Sequence, residues 1–239
     1  MQVHVFENAQ QVGKAAAVLF ASQVMRKPDS ILGLATGSSP IGCYQELIAM
    51  HQAGVLDFSQ CVSYNLDEYC ALPQDHACSY HTFMREELFD HINMKAHFVP
   101  DGNAADLAAE CKRYDAAIQA AGGIDMQLLG IGRNGHIGFN EPADSFTYGT
   151  QIVELTESTI QANRRFFDSE KDVPRRAISL GIGGIMSAKE IVLVAMGEDK
   201  AEAILKTVTG PVTPQVPASI LRTHPHVTIL VDKAAAKLL

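Results

Sequence analysis

Short apolar runs recur along the chain, and stretches with apolar positions at helical spacing separate them. Val3 to Phe6, Ser30 to Ala35, Cys61 to Leu66, Ile124 to Leu129, Gln151 to Leu155, Arg176 to Gly181, Glu190 to Met196 and Val227 to Val231 read as strands. Helical patterns cover Ala9 to Met25, the stretch after Pro40, Ser79 to His91, Ala104 to Ala121, Thr156 to Phe167 and Lys200 to Val208, and a short helix is expected behind the last strand. Pro40 suits a first helical turn with Ser39 as its N-cap, and Thr156 suits the cap of a later helix with Glu157 in its first turn. Strands alternate with helices, no repeat period shows, and no linker composition divides the chain. The expected fold class is α/β. Residues 1–239 should form a single doubly wound, Rossmann-like domain with a mostly parallel sheet flanked by helices.

Sheets of this kind bind ligands beyond the carboxyl ends of their strands. Three segments fall there: Thr36 to Ser39, Asn65 to Glu68, and Gly130 to Glu141. They can converge on one crevice, and the functional reading rests on that convergence.

The third segment is the densest in chemistry. Leu129-Gly130-Ile131-Gly132-Arg133-Asn134-Gly135-His136-Ile137-Gly138-Phe139-Asn140-Glu141-Pro142 holds four glycines, a histidine, a carboxylate and two amides. Glycines admit close backbone approach, and a histidine near a carboxylate can handle protons. Gly130-x-Gly132-x-x-Gly135 also spells the dinucleotide fingerprint, with Glu154 near the place of its ribose carboxylate. That site needs a helix opening at the third glycine, and none is readable before Pro142. A catalytic loop is the better reading.

Thr36-Gly37-Ser38-Ser39-Pro40 joins a strand to a helix start through small hydroxyl residues, which suits a phosphate. Gly37-x-x-x-x-Gly42 begins like a Walker A loop, but Cys43-Tyr44 replaces the Lys-Ser/Thr that would hold nucleotide phosphates. A monophosphate cradle fits better than an ATP site. Asp67 and Glu68 stand side by side at a strand end, and strand alternation should turn only one into the crevice. The other should meet solvent or a basic partner. Arg164, Arg165 and Lys200 are the candidate counter-charges for an anionic ligand.

Composition narrows the partners. The chain has 239 residues and a formal net charge of −8 with no basic cluster, which argues against nucleic acid or an anionic membrane. Its five cysteines lack C-x-x-C spacing and read as reduced cytoplasmic thiols. The start carries no signal-peptide pattern, and no apolar run reaches membrane-spanning length. The histidine spacings resemble no ligand set, so no metal is expected.

Taken together, these segments resemble the glucosamine-6-phosphate deaminase family, within the wider sugar-phosphate isomerase and lactonase group. The matching pieces are Leu34 to Pro40, Asn65 to Tyr69, Gly132 to Pro142, Asn163 to Phe167 and Lys200, in the family's order and over most of the chain. The resemblance implies an enzyme of amino sugar catabolism, formally a hydrolase. It would open an aldose 2-amino sugar 6-phosphate, isomerise it to the ketose and release ammonia, with no cofactor. It implies that Asp67 moves the proton between C2 and C1, that His136 opens the ring, and that Glu141 holds and polarises His136. Thr36, Gly37, Ser38, Ser39, Arg165 and Lys200 would grip the substrate and its phosphate.

Two departures from the family pattern matter. The best-known branch carries aspartate where this chain has Asn134, whose amide can fix the histidine tautomer but supplies no charge. Gln151 and Val153 stand where allosteric hexameric members carry the basic residues of an effector site, and the chain is shorter than theirs. The resemblance thus points to a short non-allosteric branch, a monomer or small homo-oligomer, with a small-molecule substrate and neither nucleic acid nor membrane as partner. The alternatives are a galactosamine-6-phosphate deaminase, a 6-phosphogluconolactonase, or a non-catalytic sugar-phosphate sensor.

Overall fold

The computed structural model describes residues 1–164, 167, 169 and 172–239, and of residues 158, 162 and 163 the backbone alone. Its strands are β1 (Gln2–Phe6), β2 (Ile31–Leu34), β3 (Val62–Asn65), β4 (Asp67–Tyr69), β5 (Ala96–Phe98), β6 (Met126–Leu129), β7 (Gln151–Glu154), β8 (Arg176–Ser179), β9 (Glu190–Ala195) and β10 (Val227–Asp232). The helices are α1 (Ala9–Arg26), α2 (Ile41–Gln52), α3 (Tyr80–Glu87), α4 (Leu107–Ala120), α5 (Glu157–Asn163), α6 (Ile182–Met186) and α7 (Ala201–Thr209), with single 3₁₀ turns between some of them.

Seven strands form a parallel sheet in the order β1-β10-β9-β6-β2-β3-β5. The central strands β2, β6 and β9 are mostly apolar and buried nearly throughout, because both faces are covered. Alternation divides them cleanly. Ile31, Leu129, Ile191, Leu193 and Ile229 enter one core with Tyr114 and Ile118 of α4, Ile182 and Ile185 of α6, and Ile204 of α7. Leu32, Leu34, Leu128, Val192, Val194 and Leu230 enter the other with Val12, Ala16 and Phe20 of α1 and Tyr44 and Leu47 of α2. The result is a three-layer sandwich of the doubly wound kind.

The expectation of one sheet needs correction. β4, β8 and β7 pair antiparallel in a separate small sheet, with Asp67 opposite Ser179 and Gln151 also opposite Ser179. The segment after β10 forms turns, not the helix expected there. β7 alternates half-buried and exposed positions, as a strand with one wet face does, whereas the central strands are buried throughout.

α1 and α2 cross at Gly13 and Gly42, where a Cβ built on Gly13 would stand 2.8 Å from the Gly42 carbonyl carbon. Backbone cannot yield there as a side chain could. Gly13→Ala should therefore lower stability by about 1–3 kcal/mol, against a helix-propensity gain of about 1 kcal/mol. Urea unfolding should show a lower midpoint at unchanged slope.

Candidate active site

β9, β6, β2 and β3 lie side by side, so the loops leaving their carboxyl ends are neighbours. Between β3 and β4 only Leu66 intervenes. Its N–H bonds the Leu34 carbonyl (3.0 Å) and its carbonyl accepts from Leu180 N–H (2.7 Å), tying the large sheet to the small one. Asp67 follows at once and is 6% exposed. Burial, reinforced by the adjacent Glu68 charge, pushes its carboxyl up to about 8, with a hydrogen bond to Thr36 opposing.

Glu68 faces the other way, as alternation requires, yet it reaches neither solvent nor a basic partner. It is buried. Its Oε1 accepts from the backbone N–H groups of Tyr69 (2.8 Å) and Tyr80 (2.9 Å), and its Oε2 from that of His81 (2.9 Å). The amides opening α3 replace the expected cation. Burial raises the Glu68 pKa, and these three bonds oppose the rise.

No helix follows Gly135; the loop from 130 to 142 instead closes on itself through an Ile137–Asn140 bridge. The His136 imidazole lies over Gly132, where a Cβ would be 2.3 Å from its Cε1. Two residues further on, a Cβ at Gly138 would be 3.6 Å from Asp67 Oδ2 and 3.1 Å from Ser179 Oγ. Phe139 N–H donates to that same Ser179 hydroxyl at 3.0 Å. The loop that carries the imidazole is thus fastened to the strand paired with Asp67.

Glu141 sits beside His136, its Oε1 3.2 Å from Nδ1 but out of line for a full hydrogen bond. The Thr159 hydroxyl of α5 donates to Oε1, and Asn134 Nδ2 donates to Oε2 at 2.6 Å. Burial would raise Glu141, but His136, Thr159 and Asn134 outweigh it and pull the carboxyl down to about 2. Asn134 thus bonds the carboxylate, and its Oδ1 accepts from His136 backbone N–H (3.2 Å); its bonds hold the loop and Glu141, not the imidazole as expected.

On the phosphate side, Ser39 packs against Gly130, with its Oγ 3.5 Å from a Cβ placed there. Ser39 is not the N-cap of α2. That position falls on Pro40, which has no capping side chain, so the first amides of α2 are left for other acceptors. Gly37 turns the chain before them with φ of +88°. Lys200 opens α7 beside Asp199 (3.8 Å), and Arg133 of the glycine loop bonds that aspartate at 2.9 Å. These contacts bring the β2, β6 and β9 loops together. Arg165 lies outside the described residues.

Thr159 and Ser179 went unread in the sequence, as did the α3 amides that hold Glu68, since each link spans at least ten intervening residues and no local spacing marks it. Gln151 and Val153 line a cavity of about 170 Å³ whose wall also includes Phe139, Asn140 and Glu141. Among the described residues, its charged lining groups are Glu141 and Glu154. Among the described residues, no three His, Cys, Asp or Glu side chains stand close enough to hold a metal, and no helix is long and apolar enough to cross a membrane.

The arrangement defines a class: a Rossmann-like α/β protein with a buried acid, an imidazole beside a carboxylate and a hydroxyl-bearing helix start gathered at the strand ends. The chain belongs to the family described as glucosamine-6-phosphate isomerases/6-phosphogluconolactonase, which it matches over residues 6–230. It is 54% identical to a glucosamine-6-phosphate deaminase of Halothermothrix orenii over the full length of both chains. It is 52% identical to one of Clostridioides difficile, covering 99% of this chain and 96% of that one. A solved structure of a monomeric glucosamine-6-phosphate deaminase superposes with a TM-score of 0.98 at 46% identity and full coverage of both chains. A 6-phosphogluconolactonase of Trypanosoma brucei shares the fold at a TM-score of 0.75 and 20% identity, over 100% of this chain and 98% of that one.

The Asp67 carboxyl predicts a stability trend. Its folded pKa of about 8 exceeds the value of about 3.9 for an unfolded aspartate, so the folded state binds the extra proton between those limits. Wild-type stability should fall relative to Asp67→Asn as pH rises from about 4 to about 8. Paired denaturant titrations across that window check the sign; parallel curves would contradict the raised pKa.

Proposed function

We propose that the protein is a glucosamine-6-phosphate deaminase that uses acid–base chemistry alone. The supporting observation is the buried Asp67, without a cation beside it among the described residues, on a strand fastened through Ser179 to the loop carrying His136 and Glu141. The close relatives named for this activity point the same way.

In this reading the phosphate docks on Ser38, Ser39 and the amides opening α2, with Thr36 and Gly37 shaping the cradle and Lys200 and Arg165 supplying positive charge. His136 takes the proton from O1 and returns one to the ring oxygen, which breaks the C1–O5 bond and frees the aldehyde. Glu141, ionised at neutral pH, stabilises the imidazolium while it exists. Asp67 in its ionised form then removes the C2 proton. The C–H electrons form a C1=C2 double bond while a proton passes from the substrate's ammonium to O1, leaving a neutral enol amine. Asp67 returns its proton to C1, leaving an iminium at C2. Water adds there and ammonia leaves, so the net reaction consumes one water and yields fructose 6-phosphate.

A resting pKa near 8 makes Asp67 a strong base for a carboxylate, and the substrate's own amine, when protonated, would favour its ionised form. We infer a cytoplasmic monomer or small homo-oligomer acting in amino sugar catabolism. We also infer no activation by acetylated amino sugar phosphate, since among the described residues the cavity at Gln151 and Val153 offers an anion only carboxylates as charged neighbours.

Purified protein given glucosamine 6-phosphate without added metal should release ammonia and fructose 6-phosphate, and should do so faster than with the galactosamine epimer. Asp67→Asn should cut turnover by about 10²- to 10⁴-fold and stop exchange of the C2 proton with solvent deuterium, while substrate still binds. Exchange at the wild-type rate would remove Asp67 from this role. Adding acetylated amino sugar phosphate should leave the saturation curve unchanged; a leftward shift would contradict the reading of that cavity.

A further inference from the structure

Glu68 is buried, has no cationic partner among the described residues, and is adjacent in sequence to the proposed base. An ionised carboxylate in such a place is costly unless its oxygens are fully used. Here both are used, and by a particular structure. Tyr80 and His81 are the first two residues of α3, so Glu68 anchors the start of that helix to β4 from twelve residues away. Ser79 caps the same helix independently through Thr82 N–H, so local capping does not require Glu68. Something else accounts for an acid at this place.

What the anchor holds is the wall around Asp67. Tyr80 comes directly after the cap, its ring 4.7 Å from that of Tyr69 and stacked at 6.1 Å on Phe139 of the glycine loop. The Tyr80 hydroxyl contacts the Tyr69 hydroxyl at 3.3 Å. Glu68 thus acts on the site in two ways, as the chain neighbour of Asp67 and, through α3, on the Tyr80 ring that packs against Tyr69 and Phe139.

The geometry points to Glu68 as a positioning residue for the reaction: its buried carboxylate stands next to Asp67 and disfavours a second charge there, and its grip on the start of α3 holds Tyr80 against Tyr69 and the loop that carries His136. This rests on Asp67 acting as the proposed base. Burial is the larger cause of the raised Asp67 carboxyl, and Glu68 is the charged neighbour that adds to it. Tyr44 of α2, Tyr69 of β4, Tyr80 of α3 and Tyr114 of α4 are all pushed above the usual phenol range by burial and stay neutral. Across the loop stand His136 and the ionised Glu141, paired with each other. On β8 the registered partner is the neutral Ser179.

The first test is independent of turnover. In wild-type protein labelled at the Asp and Glu carboxyl carbons, with the Asp67 resonance assigned by its loss in Asp67→Asn, Asp67 should titrate far above the usual carboxylate range. The Glu68 resonance should move through the same midpoint. An ordinary midpoint, or a Glu68 signal blind to it, would overturn the proposal even if the enzyme deaminates glucosamine 6-phosphate. Glu68→Gln, which keeps the shape but removes the charge and one acceptor, should lower the Asp67 midpoint by about one pH unit or more. The acid limb of kcat/KM should move with it, and kcat should fall more than KM changes. An unmoved Asp67 midpoint in a folded Glu68→Gln protein would overturn the proposal, as would an unmoved acid limb with wild-type kcat. Should wild type prove inactive on this substrate, the resonance titration still decides the coupling, and the deaminase reading fails separately.

Discussion

One residue, Leu66, joins two sheets of different kind, and the site depends on that joint. Its N–H belongs to the parallel sheet through Leu34 and its carbonyl to the antiparallel one through Leu180. A chain that changes sheets in a single residue has no room to let the next side chain drift. Asp67 is therefore held at the seam by backbone hydrogen bonds, in a place from which water is largely excluded. Its partner across the small sheet, Ser179, also bonds the glycine loop, so the position of the imidazole derives from the same seam.

That arrangement separates two carboxylates by environment. Asp67, buried next to another acid and without a cation, is pushed up to about 8. Glu141, equally acidic in free solution, is drawn down to about 2 by an imidazole, a hydroxyl and an amide. Two acids moved in opposite directions are suited to opposite tasks, one to exchange a proton and the other to remain charged beside a histidine that does. Asn134 fits this division. Where a second aspartate would add charge, its amide donates to Glu141 and keeps the charge on one residue.

Much of this was legible in the sequence. Continuous apolar runs such as Ile191 to Ala195 and Ile31 to Leu34 marked strands covered on both faces, and the polar segments after them are the loops that meet at the carboxyl ends of the sheet. The family and the fold class were readable from Asn65 to Tyr69 together with Gly132 to Pro142. The small sheet was not. β4 has three residues, and it pairs with a strand more than a hundred positions away; Ala177, Ile178 and Ser179 are as buried as a central strand. The partner of Glu68 was equally hidden, because backbone amides carry no sequence mark and an isolated acid invites a search for lysine or arginine. Ser39 looked like a helix cap because its residue type suits one; packing against Gly130 gives it another place.

The account stands or falls on where an open-chain amino sugar phosphate lies. The most direct measurement is a crystal structure with a reduced, unreactive open-chain analogue of glucosamine 6-phosphate. The expected complex places C2 within reach of the Asp67 carboxylate, the C5 hydroxyl at His136, and the phosphate on Ser38, Ser39 and Lys200. An analogue seated in the cavity lined by Gln151 and Val153, or with C2 turned away from Asp67, would contradict it.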